Sequence, residues 1–245
     1  MTVMRAPLKL ALWQCAPAPL DVPGNLARLE AAAREAVSAG AQLLVCPEMF
    51  LTGYNIGLAQ VERLAEAADG PAAMTVVEIA QAHRIAIVYG YPERGDDGAI
   101  YNSVQLIDAH GRSLSNYRKT HLFGELDRSM FSPGADHFPV VELEGWKVGL
   151  LICYDIEFPE NARRLALDGA DQLVDLAAVQ QELAWPARLV VVAVAAGIFG
   201  DGGIDQPSSL HFDGVGLPGG YIYDGNDVQY GHCSAVDARA GRSGT

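Results

Sequence analysis

Several features are missing from this 245-residue sequence, and each absence excludes a class of protein. No run approaches the ~20 apolar residues that span a bilayer. The longest, Leu189–Phe199, contains a glycine and suits a buried strand. Basic residues are few and scattered, and the formal net charge is −13, so nothing is built to neutralise a phosphate backbone and nucleic acid is not an expected partner. The four cysteines, Cys15, Cys46, Cys153 and Cys233, are far apart and form no C-x-x-C pair, which argues against a zinc site or a dithiol redox motif. Before residue 200 there is no linker, internal repeat or low-complexity block. The opening MTVMRAPLKLALWQCAP has an apolar stretch too short for a secretory signal and no small-residue cleavage site. It reads as a first buried strand, and the protein is expected in the cytoplasm with free thiols.

Half of the residues are apolar, enough to bury one sizeable core, and a single domain over residues 1–245 is expected. Leu8–Gln14 reads as a strand. Asn25–Ala39 reads as a helix with Leu26, Leu29, Ala33 and Val37 on one face, stopped by Gly40. Gln42–Cys46 and Ile85–Tyr91 are continuous apolar runs, as in strands covered on both faces. Helices are expected at Val61–Ala68, Ala72–His83 and, after Pro159, Asn161–Asp168. Two hairpins are expected: Asn102–Ile107 with Ser113–Arg118, and Val140–Leu143 with Lys147–Cys153. Strands alternating with helices, plus hairpins, predict an α/β fold with a mixed sheet. From Gly200 onward glycine is dense, and a loop-rich region is expected.

Three segments carry residues that can do chemistry. In LLVCPEMF, Glu48 follows a buried strand and a proline, where partial desolvation would raise a carboxyl pKa toward proton transfer. In YRKTHLF, Lys119 closes a hairpin strand; His121, beside leucine and phenylalanine, reads as structural. In VGLLICYDIEFPE, a buried strand runs straight into Cys153. A thiol at such a junction can project into a cleft, with adjacent N–H groups to hold an oxyanion and a nearby ammonium to favour the thiolate. Taken singly, each residue has an ordinary reading: a surface glutamate, a solvated lysine, an inert buried thiol.

Taken together, in this order, the segments resemble the nitrilase superfamily of carbon–nitrogen hydrolases, in its amidase-like branches. Glu48 in CPEMFLTGY, Lys119 in YRKTHLF and Cys153 in CYDIEFPE carry the resemblance, with Gly134 in FSPG and the opening LALWQCAP. The separations, 71 residues from Glu48 to Lys119 and 34 from Lys119 to Cys153, are of the expected kind. The resemblance implies a four-layer α–β–β–α sandwich, assembly into homodimers or larger oligomers, and neither metal nor organic cofactor. It implies Cys153 as nucleophile, Glu48 as base, and Lys119 with the Tyr154 N–H as oxyanion holders. It also implies a further acid after the lysine that positions substrate or water, either Glu125 or Asp127; Glu125 is favoured for its type. Nitrile-hydrolysing members place Trp-Glu after the cysteine where this chain has Tyr154-Asp155, so a small amide or N-carbamoyl compound is the expected substrate.

The resemblance holds to about residue 171. Beyond it the family's Pro-Thr or Pro-Ser turn is missing. Pro186-Ala187-Arg188 resembles the start of the next helix, but an apolar run follows at once, and Val190–Ala196 is expected to pair as a strand. Tyr230–Ser234 resembles a late strand, and the sequence ends before the implied C-terminal arm. Two other functions stay open: acyl transfer in the same fold, and a binding or regulatory protein whose altered C-terminal third leaves no competent pocket.

Overall fold

A computed structural model of the chain describes residue 6, residues 8–176, and the backbone of residues 192–193, 221–223 and 228–230. The first helix, α1, follows strand β1 (Leu10–Leu12) and spans Val22–Ser38, three residues longer at its start than the apolar pattern suggests. The reason is a cap. The Asp21 carboxylate accepts the Gly24 N–H at 3.0 Å, and Pro23 sits in the first turn, where its missing N–H goes unnoticed. The buried face also differs from the expected one. Leu29, Ala32, Ala33 and Ala36 are buried, whereas Val37 is exposed, because alanines let the helix lie close to a sheet.

Then come β2 (Leu43–Val45), α2 (Leu58–Leu64), α3 (Pro71–His83), β3 (Ala86–Arg94), β4 (Ile100–Ile107), β5 (Ser113–Arg118) and a short α4 (Gly124–Arg128). They are followed by β6 (Val140–Leu143), β7 (Trp146–Ile152), a 3-10 turn at Cys153–Glu157, α5 (Pro159–Leu167) and β8 (Gln172–Leu176). Helix α2 starts earlier and ends earlier than expected, since Ala65 turns extended and Glu66 then pairs beside Glu93. Helix α4 was not anticipated. The last described segments are β9 (Val192–Ala193), β10 (Tyr221–Tyr223) and β11 (Val228–Tyr230). Within the expected strand Val190–Ala196, Val192–Ala193 pairs antiparallel with β8. The Pro186-Ala187-Arg188 helix start, most of the glycine-dense stretch, Cys233 and the rest of Tyr230–Ser234 lie outside the described residues.

The strands form two sheets. One runs β11-β10-β1-β2-β3-β4-β5, with β1, β2 and β3 parallel and β3-β4-β5 an antiparallel meander. The other runs β6-β7-β8-β9, with β7 and β8 parallel. Side chains alternate across each strand. Leu10, Leu43, Val45, Val88 and Leu106 therefore face the second sheet's Leu150, Ile152 and Leu173 in one core. Ala11, Leu44, Ile87 and Tyr89 face α1 and α3 in another. On the far side of the second sheet, α5 lays Leu165 against Gly149, where a Cβ would lie 2.7 Å from the leucine side chain. The layers are thus α–β–β–α, as expected.

The meander is locked by Glu93 of β3. Its carboxylate accepts from Ser103 at 2.7 Å, Asn116 at 2.8 Å, and the Arg118 Nε and Nη2 at 3.1 and 2.5 Å. Burial works to raise the Glu93 pKa, but the Arg118, Ser103 and Asn116 bonds outweigh it and hold the carboxyl below its usual range. A depressed carboxyl pKa contributes stability above the unfolded-state value, and that contribution fades as pH falls through the folded value. Urea midpoints followed from pH 7 down to pH 3 should therefore decline more steeply for the wild type than for Glu93→Gln.

Gly90 of β3 is needed for a different reason. A Cβ there would sit 2.4 Å from the Met49 nitrogen and 2.9 Å from the Glu48 Cα, so only glycine lets the loop after β2 cross the sheet this closely. Gly90→Ala should destabilise the chain by about 1–3 kcal/mol in equilibrium urea unfolding.

Candidate active site

Each of the three chemistry-bearing segments ends at the same edge of the sandwich. Glu48 lies in the loop after β2, and Met49 next to it takes a φ of +51°. Asn25 of α1 pins that loop from behind, donating to the Leu51 and Ala18 carbonyls at 3.0 and 2.8 Å. Lys119 follows β5. Alternation turns it away from Arg118, and its own N–H bonds the Asn102 carbonyl at 2.8 Å. Its carbonyl accepts from the Gly134 N–H at 2.8 Å, and a Cβ on Gly134 would meet the Arg118 carbonyl at 2.3 Å. The glycine of FSPG is thus a close-approach residue.

The Lys119 ammonium is fully buried. Nζ lies 2.8 Å from Glu48 Oε1 and 2.7 Å from Asp127 Oδ2. Asn102 Nδ2 donates to Glu48 Oε1 at 2.7 Å. Asp127 also accepts the Tyr54 hydroxyl at 2.5 Å and the Phe123 N–H at 2.8 Å. Burial and the surrounding carboxylates keep the Tyr54 phenol protonated, so it serves as a donor. The Tyr54 ring centroid is 5.7 Å from Nζ and adds a cation–π contact.

Cys153 is half-buried at the end of β7, with a φ of +50°. A side chain in this left-handed region is uncommon and strained, and such strain concentrates at functional positions. The strand ends there and a 3-10 turn, Cys153–Glu157, begins. Asp155 holds the turn. It accepts the Ile152 N–H at 3.2 Å and the Tyr117 hydroxyl at 2.7 Å through one oxygen, and the His121 N–H at 2.9 Å through the other. Tyr117 and His121 bracket Lys119, so a single buried carboxylate joins the two sheets beside the site. His121 Nδ1 also lies 3.0 Å from Asp155, and its ring stacks on Phe158 at 3.9 Å.

Charge at the site follows from burial and pairing. Burial raises the Glu48 pKa, partly offset by Lys119 and Asn102. Burial works against the Lys119 ammonium, yet Glu48 and Asp127 more than compensate and it stays charged. The Cys153 thiol is pushed up by burial and then by Glu48, against Lys119, so at rest it is a thiol that needs a base. Among the described residues no group of three or more His, Cys, Asp or Glu is arranged to hold a metal ion. Nor is any described helix long and apolar enough to cross a membrane.

The structure brings together Glu48, Lys119, Asp127 and Cys153. It does not bring in Glu125, whose side chain is 94% exposed and lies 3.8 Å from Arg128. Of the two acids, Asp127 is the one that contacts the Lys119 ammonium. Helix α4 turns about 100° per residue, so positions 125 and 127 face nearly opposite ways. Tyr154, one residue past the thiol, packs its ring edgewise on Phe123 and Phe158 at 5.4 and 5.2 Å. Asn25, Tyr54 and Asn102 carry no role in the sequence reading, and Asp155 enters it only with Tyr154 as a sign of substrate class. Tyr54 and Asp155 lie within the segments that carry the resemblance, whereas Asn25 and Asn102 have no local signal.

The sequence profile of the carbon-nitrogen hydrolase family matches residues 9–201. A Pseudomonas protegens protein known as "Hydrolase in pqqF 5'region" is 66% identical over 167 residues, 68% of this chain and 58% of that protein. An (R)-stereoselective amidase from a Pseudomonas species is 42% identical over 168 residues, 68% of this chain and 59% of that protein. The chain thus spans somewhat less than two thirds of the length of these relatives. An amidase from Nesterenkonia sp. superposes with a TM-score of 0.62 at 33% identity, covering 75% of this chain and 70% of its own. A variant of that amidase carries the acetamide moiety of fluoroacetamide, added covalently at its active-site cysteine. The chain belongs to the carbon-nitrogen hydrolase family, in the amidase-like branch of the nitrilase superfamily.

The buried ammonium makes a sharp stability prediction. Asp127→Ala should cost about 3–5 kcal/mol in urea unfolding, because it strips a partner from a buried charge. Glu125→Ala should stay within about 0.5 kcal/mol of the wild type.

Proposed function

We propose that the chain hydrolyses a non-peptide carbon–nitrogen bond in a small amide or N-carbamoyl compound, through a thioester on Cys153. The observation that carries this reading is the buried Glu48–Lys119–Asp127 network, whose charges act on a half-buried thiol at a strand end. A weak nucleophile needs a base beside it, and Glu48 is the carboxyl whose burial raises its affinity for a proton. In the proposed sequence Glu48 removes the thiol proton and the sulfur attacks the carbonyl carbon. The oxyanion that develops is held by the Lys119 ammonium and the Tyr154 N–H, donors fixed before the reaction starts. Glu48 returns the proton to the departing nitrogen, ammonia leaves, and a thioester remains. Water, with Glu48 again as base, then releases the acid and restores the thiol.

Asp127 has the auxiliary place in this scheme. It is a second carboxylate partner of Lys119, at 2.7 Å, leaving Glu48 to handle protons. The proposal includes a small-molecule substrate, no cofactor, a cytoplasmic setting and assembly into a homo-oligomer.

Ammonia release from a panel of short aliphatic, aromatic and N-carbamoyl amides tests the reading. Cys153→Ala should abolish release with the fold intact by circular dichroism. Glu48→Gln should lower turnover by roughly 10²–10⁴-fold, the usual range for a lost general base. A Glu48→Gln protein that kept most of its rate would remove Glu48 from the base role.

A further inference from the structure

One more buried carboxyl belongs to this group of charges. Asp175 lies on β8. In the parallel β7–β8 register it sits opposite Leu151, two residues before Cys153. It is 2% exposed. The Cys153 main-chain N–H acts on its carboxyl as a hydrogen-bond donor, while its Oδ1 has no partner among the described residues. A buried polar atom left without a partner calls for an explanation.

The groups that face Asp175 come from three directions. Glu48 reaches it from the loop after β2, Lys119 from the end of β5, and Asp155 from the 3-10 turn. Asp127 reaches Cys153 from α4. Burial, and then the charge of Glu48, push the Asp175 carboxyl up to about 8, against the Cys153 N–H and Lys119. An ionised Asp175 in turn raises the Cys153 thiol, opposing Lys119.

We propose that Asp175 is a positioning residue for the nucleophile, anchoring the Cys153 main chain and setting through its own charge how readily the thiol gives up its proton. Below neutrality it is a neutral acid, and Lys119 acts on the thiol with only Glu48 and Asp127 in opposition. As pH rises Asp175 ionises, and a third carboxylate opposes the thiolate at the pH where thiolate would otherwise accumulate. The device broadens the pH response of the nucleophile. It rests on the reading of Cys153 as nucleophile.

Asp175→Asn removes the charge and keeps an oxygen for the Cys153 N–H. Because the folded carboxyl binds its proton more tightly than the unfolded one, the wild type loses stability as pH rises from about 4 toward 8. The Asn variant should therefore fold at least as well at pH 8, which thermal melts will check; Asp175→Ser serves as a second neutral variant.

The decisive readout is iodoacetamide labelling of the full chain from pH 6.5 to 10, resolved by mass spectrometry into Cys153 and Cys15 peptides. Wild-type Cys153 should show an inflection near pH 8. Both neutral variants should lose it and label about three- to tenfold faster at pH 9, a change of up to one unit of thiol pKa. Superimposable profiles in wild type and variants, with Cys153 still outpacing Cys15, would overturn the role of Asp175 alone. A wild-type Cys153 no faster than Cys15 would instead overturn the nucleophile reading, and this inference with it.

Discussion

An ammonium with no exposed surface must be matched by charge, and Lys119 is matched by Glu48 and Asp127 at 2.8 and 2.7 Å. Leaving either carboxylate unpaired in the same place would be as unfavourable as leaving the lysine so. The three groups come from the loop after β2, the end of β5 and α4. Their mutual neutralisation requires those elements to meet. Much of the surrounding architecture serves that meeting: Gly90 lets the Glu48 loop cross β3, Asn25 pins the loop from α1, and Tyr54 and the Phe123 N–H hold Asp127.

The second sheet brings the thiol. Strand β7 ends just before Cys153, and the chain turns there under a left-handed φ into the 3-10 segment. Packing alone would let the sheets slide, because apolar contacts have no direction. Asp155 supplies direction: it bonds Tyr117 of β5, His121 just after that strand, and Ile152 at the end of β7. The thiol is thereby indexed to the lysine by hydrogen bonds, whose geometry tolerates little error.

The site also carries more acid than base. Lys119 is the one buried cation among the described residues, against Glu48, Asp127, Asp155 and Asp175. Such a set cannot hold every carboxyl ionised without strong repulsion, so some of the burden falls on protonation. The Glu48 and Asp175 pKa values are raised. Asp127 is fixed by an ammonium, a phenol and a main-chain N–H.

Local pattern alone determined the strand–helix alternation, the two hairpins, and the placement of Glu48 and Cys153 directly after buried strands. Apolar periodicity, capping residues and turn chemistry act over a few residues and can be read without knowing the partner. The combination of Glu48, Lys119 and Cys153 was visible as three segments in a familiar order. What only tertiary structure decided was phase and contact. Glu125 and Asp127 lie two residues apart and are equivalent in charge; the rotation of α4 against β5 sends one into solvent and the other onto Lys119. Asn25, Asn102, Asp155 and Asp175 look like ordinary polar residues in a list. They matter because sheet register and layer packing bring them to buried main-chain and charged groups that are distant in sequence, and no local rule carries that information.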